Sequence, residues 1–197
     1  MAESRRAVFL DRDGTIVEDP GYLHKPEQVR VLATAADAIR RLNKAGYLVV
    51  VVTNQSGIAR GLYSMADYRA VEKRLDDLLA EDRARIDASY LCPHHPQAPE
   101  PCACRKPRTK LFLDAQAALG IDFARSWWVG DRLSDVQPAR GLGGGSNAIL
   151  VATGQGNLHQ GQARALGVTV VADLGSAVAH SRVPSCPPGW WPSPPDS

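Results

Sequence analysis

Long apolar runs are missing from this chain of 197 residues. The longest, Leu48 to Val52, falls far short of the roughly 20 residues that a membrane-spanning helix needs. The start, MAESRRAVFLDRDGT, has no hydrophobic stretch before its charges resume, so it lacks the pattern of a secretory leader. The expectation is a soluble, cytoplasmic protein with no membrane partner. Aromatic residues are scarce, at 6%, and neither sign of charge prevails: 23 Lys and Arg against 21 Asp and Glu leave +2. With no basic stripe interleaved with aromatics, nothing marks a nucleic-acid partner. Cysteine is rare too. Three of the four (Cys92, Cys102, Cys104) crowd beside His94 and Cys186 stands alone, which suits a metal site in a reducing compartment better than a disulfide framework.

What is present is the composition of an ordinary globular domain, 44% hydrophobic and 22% charged, long enough to bury a core without staples. Short β-rich runs occupy 7–10, 47–53, 87–91, 126–130, 147–151 and 168–171. The densest of them do not alternate, as expected of strands buried on both faces. Between them lie three helical stretches. Thr34 with Asp37 opens the first, whose Ala35, Ala38, Ile39 and Leu42 share a face, and Gly46 ends it. Ser64 with Asp67 opens the second, with Tyr68, Val71, Leu75 and Leu78 on one stripe. The third begins at Thr109 or Lys110, runs through Leu111, Ala115 and Leu119, and stops at Gly120. Strands alternating with helices predict a parallel α/β sheet, whose ligands bind at the carboxyl ends of its strands. No heptad or spare amphipathic helix remains, so a monomer is expected. From residue 182 the chain carries six prolines in its last fifteen residues and reads as a disordered tail.

Four segments carry chemistry. DRDGT, Asp11 to Thr15, follows the first strand, and two carboxylates at the end of a buried strand need a cation or a phosphate-linked network. Taken alone, the segment also suits an ordinary turn. It does not suit an EF-hand, because the residues that follow lack the alternating oxygen ligands. Thr53 and Asn54 end the second strand, and QSGIARG follows, either as an oxyanion cradle or as a polar turn. CRKP places Arg105 and Lys106 beside the cysteines. VGDRLSD places Asp131 and Asp135 after a later strand.

In this order the four segments resemble the motifs of the haloacid dehalogenase (HAD) superfamily of phosphotransferases. FLDRDGT, DPGYLHKPE, VVVVTNQSGIARG, CPHHPQ, CACRKP and VGDRLSD extend the similarity over about residues 7 to 175, towards a branch that hydrolyses sugar bisphosphates. It departs in the Pro-rich tail and in a short span between His94 and Cys102. The resemblance implies a three-layer, doubly wound, mostly parallel sheet with a HAD-like Rossmannoid core. It also implies a zinc loop at about 92–105 within a domain spanning 1–181. Only 18 residues separate Thr15 from Thr34, so no cap domain fits.

The implied activity is removal of the 7-phosphate of a heptose 1,7-bisphosphate on the way to nucleotide-activated heptose. Asp11 would be the nucleophile and Asp13 the general acid and base, with Thr53 and Lys106 on the phosphoryl oxygens. Magnesium would be held by Asp11, the Asp13 main-chain carbonyl and Asp131. Structural zinc would take Cys92, His94, Cys102 and Cys104, with His95 as a rival ligand. Substrate contacts would come from Asp19, Pro20, Gly21 and Tyr22 near His24, from Asn54, Gln55, Ser56 and Arg60, and from Arg105 and Arg132. Two other readings stay open: a HAD phosphatase of histidinol phosphate or another small monophosphate, and a zinc-dependent binding module.

Overall fold

The computed structural model describes residues 4–97 and 102–181; the proline-rich stretch 182–197, with Trp190, Trp191 and Cys186, lies outside the described residues. Six parallel strands form one sheet: β1 (Ala7–Leu10), β2 (Leu48–Asn54), β3 (Ala88–Cys92), β4 (Trp127–Gly130), β5 (Ala148–Val151) and β6 (Thr169–Val171), in the order β3-β2-β1-β4-β5-β6. Each predicted strand lies within one residue of the observed limits.

The missing alternation has the expected cause. Val8 and Leu10 of β1, Val49 and Val51 of β2 and Ile149 and Val151 of β5 enter one core, while Ala7 and Phe9, Val50 and Val52, and Ala148 and Leu150 enter another. Helices α1 (Ala35–Lys44), α2 (Met65–Glu81) and α7 (Leu174–His180) cover the first face. The second is covered by α3 (Lys110–Leu119), α4 (Leu133–Val136), α5 (Pro138–Gly141) and α6 (Gly156–Ala165). The few aromatics are concentrated there: all three phenylalanines gather around the fully buried Trp128, with Phe9 5.2 Å and Phe123 5.7 Å from it between ring centroids.

Local signals hold with two corrections. Ser64 and Asp67 form the reciprocal capping box of α2. Thr34 makes no side-chain cap to α1, because its hydroxyl accepts from Gly175 N–H at 3.2 Å and ties α1 to α7. On α2 the buried stripe is Tyr68, Val71, Leu75 and Leu79; Leu78 is only partly covered, since the helix turns Leu79 into the core. The helices α4 to α7 had no counterpart in the sequence reading. Asp173, which caps α7 by accepting from Ser176 N–H at 2.7 Å, was a usable signal for the last of them. Among the described residues, 16–34 carry a 3-10 turn at Pro26–Gln28 and an isolated antiparallel bridge between Val17 and Val31, and no helix is long and apolar enough to cross a membrane.

Candidate active site

The sheet grows outward from β1 in both directions, through β2 on one side and β4 on the other, and the carboxyl ends of these three strands open onto a pocket of about 330 Å³. Asp11, directly after β1, is 7% exposed and its N–H bonds to Val129 O on β4. Lys106 lies beneath it, 4% exposed, donating to Val52 O at 2.5 Å and paired with Asp135 Oδ1 at 2.8 Å and Asp11 Oδ1 at 2.9 Å. Burial disfavours its charge, but Asp11 and Asp135 outweigh that and raise its pKa, so it stays an ammonium. Apart from this ion pair no donor reaches Asp11 Oδ1, which keeps an unused lone pair. Asn54 fixes the Lys106 backbone from β2, accepting from its N–H at 3.1 Å and donating to its carbonyl at 3.3 Å.

Asp13 also lines the pocket but belongs to a different network. Arg12, 1% exposed under the Tyr68 ring, grips it through Nε to Oδ1 at 3.0 Å and Nη2 to Oδ2 at 2.9 Å. Gln55 Nε2 donates to Asp13 Oδ2 and to Thr53 Oγ1, both at 2.8 Å, while Tyr63 donates to Gln55 Oε1 at 2.5 Å. Burial pushes the Asp13 carboxyl above the usual carboxylate range, against the pull of Arg12. Burial likewise pushes the Tyr63 hydroxyl up to about 12, so it remains a donor.

Asp131, after β4, is completely buried between two backbone turns. Gly14 (φ +82°) and Gly154 (φ +54°) press on it so closely that a Cβ at either would stand 2.3 Å from its Oδ2. That oxygen accepts from Gln155 N–H at 2.7 Å, and Thr153 Oγ1 donates to Gly14 O at 2.7 Å, locking the two turns together. Asp131 Oδ1 has no partner. Burial first, then Asp11 and Asp135, raise its pKa to about 8. Asp11, Asp131 and Asp135 bring oxygens within 4.8 Å of one another, an arrangement of hard ligands that a small divalent cation would relieve. Asp135 has both oxygens engaged, Oδ1 by Lys106 and Oδ2 by Arg132 N–H at 2.8 Å. The oxygens left for an ion are therefore those of Asp11 and Asp131.

Beside Lys106, Cys92, His94, Cys102 and Cys104 bring four ligand atoms within 4.8 Å of one another, with Cys92 and Cys104 sulfurs 3.1 Å apart and not bonded. Burial pushes the Cys92 thiol up to about 12, so a metal binding there as thiolate ligand must displace a proton. His95 stands outside this group, its Nδ1 accepting from Gln97 N–H.

Comparison with known proteins adds to this geometry. The HAD-hydrolase-like family model matches residues 103–177. The D-glycero-beta-D-manno-heptose-1,7-bisphosphate 7-phosphatase of Escherichia coli O6:H1 is 41% identical over 191 residues, covering 94% of this chain and 100% of its own. The protein of the same name from Vibrio cholerae serotype O1 is 41% identical over 90% of this chain and 96% of its own. A crystal structure of D,D-heptose 1.7-bisphosphate phosphatase from B. bronchiseptica, complexed with magnesium and phosphate, superposes with a TM-score of 0.80 at 34% identity over 89% of this chain and 97% of that one. The chain belongs to the HAD-like phosphatases.

In this HAD-like phosphatase the pocket brings together Asp11, Asp13, Asp19, Gly21, Tyr22, Thr53, Asn54, Gln55, Ser56, Arg105, Lys106 and Arg132 of the residues expected from sequence. Pro20 and Arg60, also expected there, are exposed and do not line it. Lys106 faces the two carboxylates, with Val52 O, Asp135 and Asp11 within reach of its three ammonium hydrogens. The phosphatase recruits groups that sequence reasoning missed: Arg12 on Asp13, Tyr63 on Gln55, and Gly154 and Gln155 on Asp131, all of which required the fold. Asp135, four positions past Asp131 on the short helix after β4, was legible in VGDRLSD, but its part as the anchor of Lys106 was not.

Proposed function

We propose that this phosphatase removes the 7-phosphate of D-glycero-D-manno-heptose 1,7-bisphosphate through an aspartyl phosphate on Asp11. The observation that carries the reading is the floor of the pocket, where the buried Asp11 carboxylate meets Lys106 while keeping a lone pair unused. Near-complete coverage of relatives named for this substrate supports the choice of sugar. Arg105 and Arg132 on the pocket wall supply guanidinium groups for the second phosphate. Arg132 is held by Asp19 Oδ2 at 3.3 Å and Arg105 by the His94 carbonyl at 3.4 Å.

In the first step an Asp11 oxygen forms a bond to phosphorus as the bond to the sugar oxygen breaks. The electron pair stays on that oxygen, which takes the Asp13 proton. In the second step a water oxygen attacks the same phosphorus, its proton passes to Asp13, and the bond to Asp11 breaks to release phosphate. The raised Asp13 pKa suits it to begin as an acid. Thr53, whose oxygen already accepts from Gln55, has its hydroxyl hydrogen left to give a phosphoryl oxygen. Asp11 and Asp131, with the Asp13 main-chain carbonyl, would hold a magnesium ion, which would offset the charge of the phosphoryl group. Zinc fits the Cys92, His94, Cys102 and Cys104 set. Four protein ligands fill a tetrahedral shell, so its role is structural, fixing the approach to Arg105 and Lys106.

Steady-state kinetics with magnesium tests the reading. The β anomer of the heptose bisphosphate should exceed both its α anomer and histidinol phosphate in kcat/KM, the latter by at least about tenfold. Asp11→Asn should be inactive with an unchanged circular dichroism spectrum. Preference for histidinol phosphate, or native turnover by Asp11→Asn, would overturn it.

A further inference from the structure

The proton-transfer residue of a two-step hydrolysis must place its proton at one oxygen reproducibly, because the same atom gives it in the first step and takes it in the second. The neighbours of Asp13 are unequal. Oδ2 receives two donors, Arg12 Nη2 at 2.9 Å and Gln55 Nε2 at 2.8 Å; Oδ1 receives only Arg12 Nε at 3.0 Å. A proton on Oδ2 would confront two N–H groups, whereas Oδ1 retains a lone pair that can carry one.

Gln55 can do this only if its amide keeps one orientation. It is 3% exposed, with both N–H groups spent on Asp13 and Thr53 and its Oε1 filled by the Tyr63 hydroxyl. Turning the amide over would set Oε1 against a carboxylate oxygen and would lose the Tyr63 bond. The phenol is itself fixed: Tyr63 is 8% exposed and its ring lies so close to Gly57 that a Cβ there would stand 2.1 Å from Cε1.

We propose that Gln55, locked by Tyr63, is a positioning residue for proton transfer: by occupying Asp13 Oδ2 it makes Oδ1 the atom that protonates the leaving oxygen and later receives the proton of water. Gln55 thus acts through Asp13 in addition to any contact with substrate. The inference rests on the reading of Asp13 as acid and base.

The test compares kcat/KM, which reports the first chemical step, for the sugar bisphosphate and for p-nitrophenyl phosphate, whose leaving group departs without a proton. Full-length Gln55→Leu loses its bond to Thr53 with either ester, but should lose roughly 10- to 100-fold more on the sugar ester than on the aryl ester, within the range that general acids contribute. A burst of nitrophenolate stoichiometric with enzyme should appear, with kcat and KM for the aryl ester falling together, because breakdown of the aspartyl phosphate still needs Oδ1. Tyr63→Phe, which removes one hydroxyl and keeps the ring, should show the same split at smaller size. Equal losses on both esters in both variants would overturn the inference and leave Gln55 a mere support of the phosphate grip. Asp13→Asn run alongside separates the premises. If it too shows no split, the acid and base reading fails and takes the inference with it; if it shows the split and the other two do not, only the inference fails.

Discussion

Removing magnesium should destabilise this protein far more at pH 9 than at pH 6. In the metal-free protein Asp131 has its pKa raised to about 8 by burial and by Asp11 and Asp135, against about 3.9 in the unfolded chain. Its contribution to metal-free stability is therefore complete below about pH 4 and is lost as pH rises through about 8. An ion binding its carboxylate must displace the proton below pH 8, so apparent affinity weakens about tenfold per pH unit there, or roughly 100-fold between pH 9 and pH 6. At a magnesium concentration of about 100 Kd at pH 9, binding adds about 2.7 kcal/mol; the same concentration at pH 6 adds about 0.4 kcal/mol. For a chain of this length those energies correspond to about 5–11 °C and about 1–2 °C in Tm. Thermal unfolding with and without magnesium at the two pH values measures this, and calorimetry at pH 6 in two buffers of different ionisation enthalpy should find about one proton released per ion. Asp131→Asn should abolish the magnesium shift at both pH values. Equal shifts in the native protein, with no proton release, would refute the argument that Asp131 is a protonated ligand waiting for a cation.

Gly154→Ala should weaken magnesium binding and lower stability by about 2 kcal/mol or more, because the new Cβ meets Asp131 Oδ2 at 2.3 Å and the Gly14 Cα at 2.6 Å in a left-handed turn; calorimetric titration and denaturant melts would show both, and a neutral result would mean the clamp is slack. Cys102→Ser should lose its equivalent of zinc and much of its activity, since Lys106 lies two residues beyond Cys104, so full metal content with full turnover would break that coupling. Arg105→Ala should raise KM for the bisphosphate more than for a simple monophosphate, and equal effects would remove Arg105 from recognition of the second phosphate.

How far the sequence could be read depended on the distance over which each feature is determined. The strand limits followed from local composition, since a short run such as VVVVT, β-branched and without alternation, suits a strand buried on both faces. The capping box at Ser64 and the placement of Thr53 at the end of a strand and of Asp11 and Asp131 just beyond strands followed for the same reason: each is a property of a few consecutive residues. The crowding of three cysteines with His94 was visible in the same way, while their convergence on one point waited for the fold.

Thr34 and Leu78 show where local pattern fails. The sequence offers Thr34 as a cap, but α7 takes its hydroxyl from 141 positions away; a period of 3.6 cannot decide which of two adjacent leucines a neighbouring layer will cover. The electrostatic design of the site is of this second kind. Thr153 meets Gly14 across 139 positions and Lys106 meets Val52 across 54, and each contact exists because parallel strands deliver their carboxyl ends to one place. The sequence alone thus determined which chemical groups this protein owns and that they stand at strand ends. Only the tertiary structure decided which carboxylate faces the lysine, which faces the arginine and which is left without a partner. Those assignments depend on the three-dimensional balance of burial and charge, to which sequence neighbours contribute little.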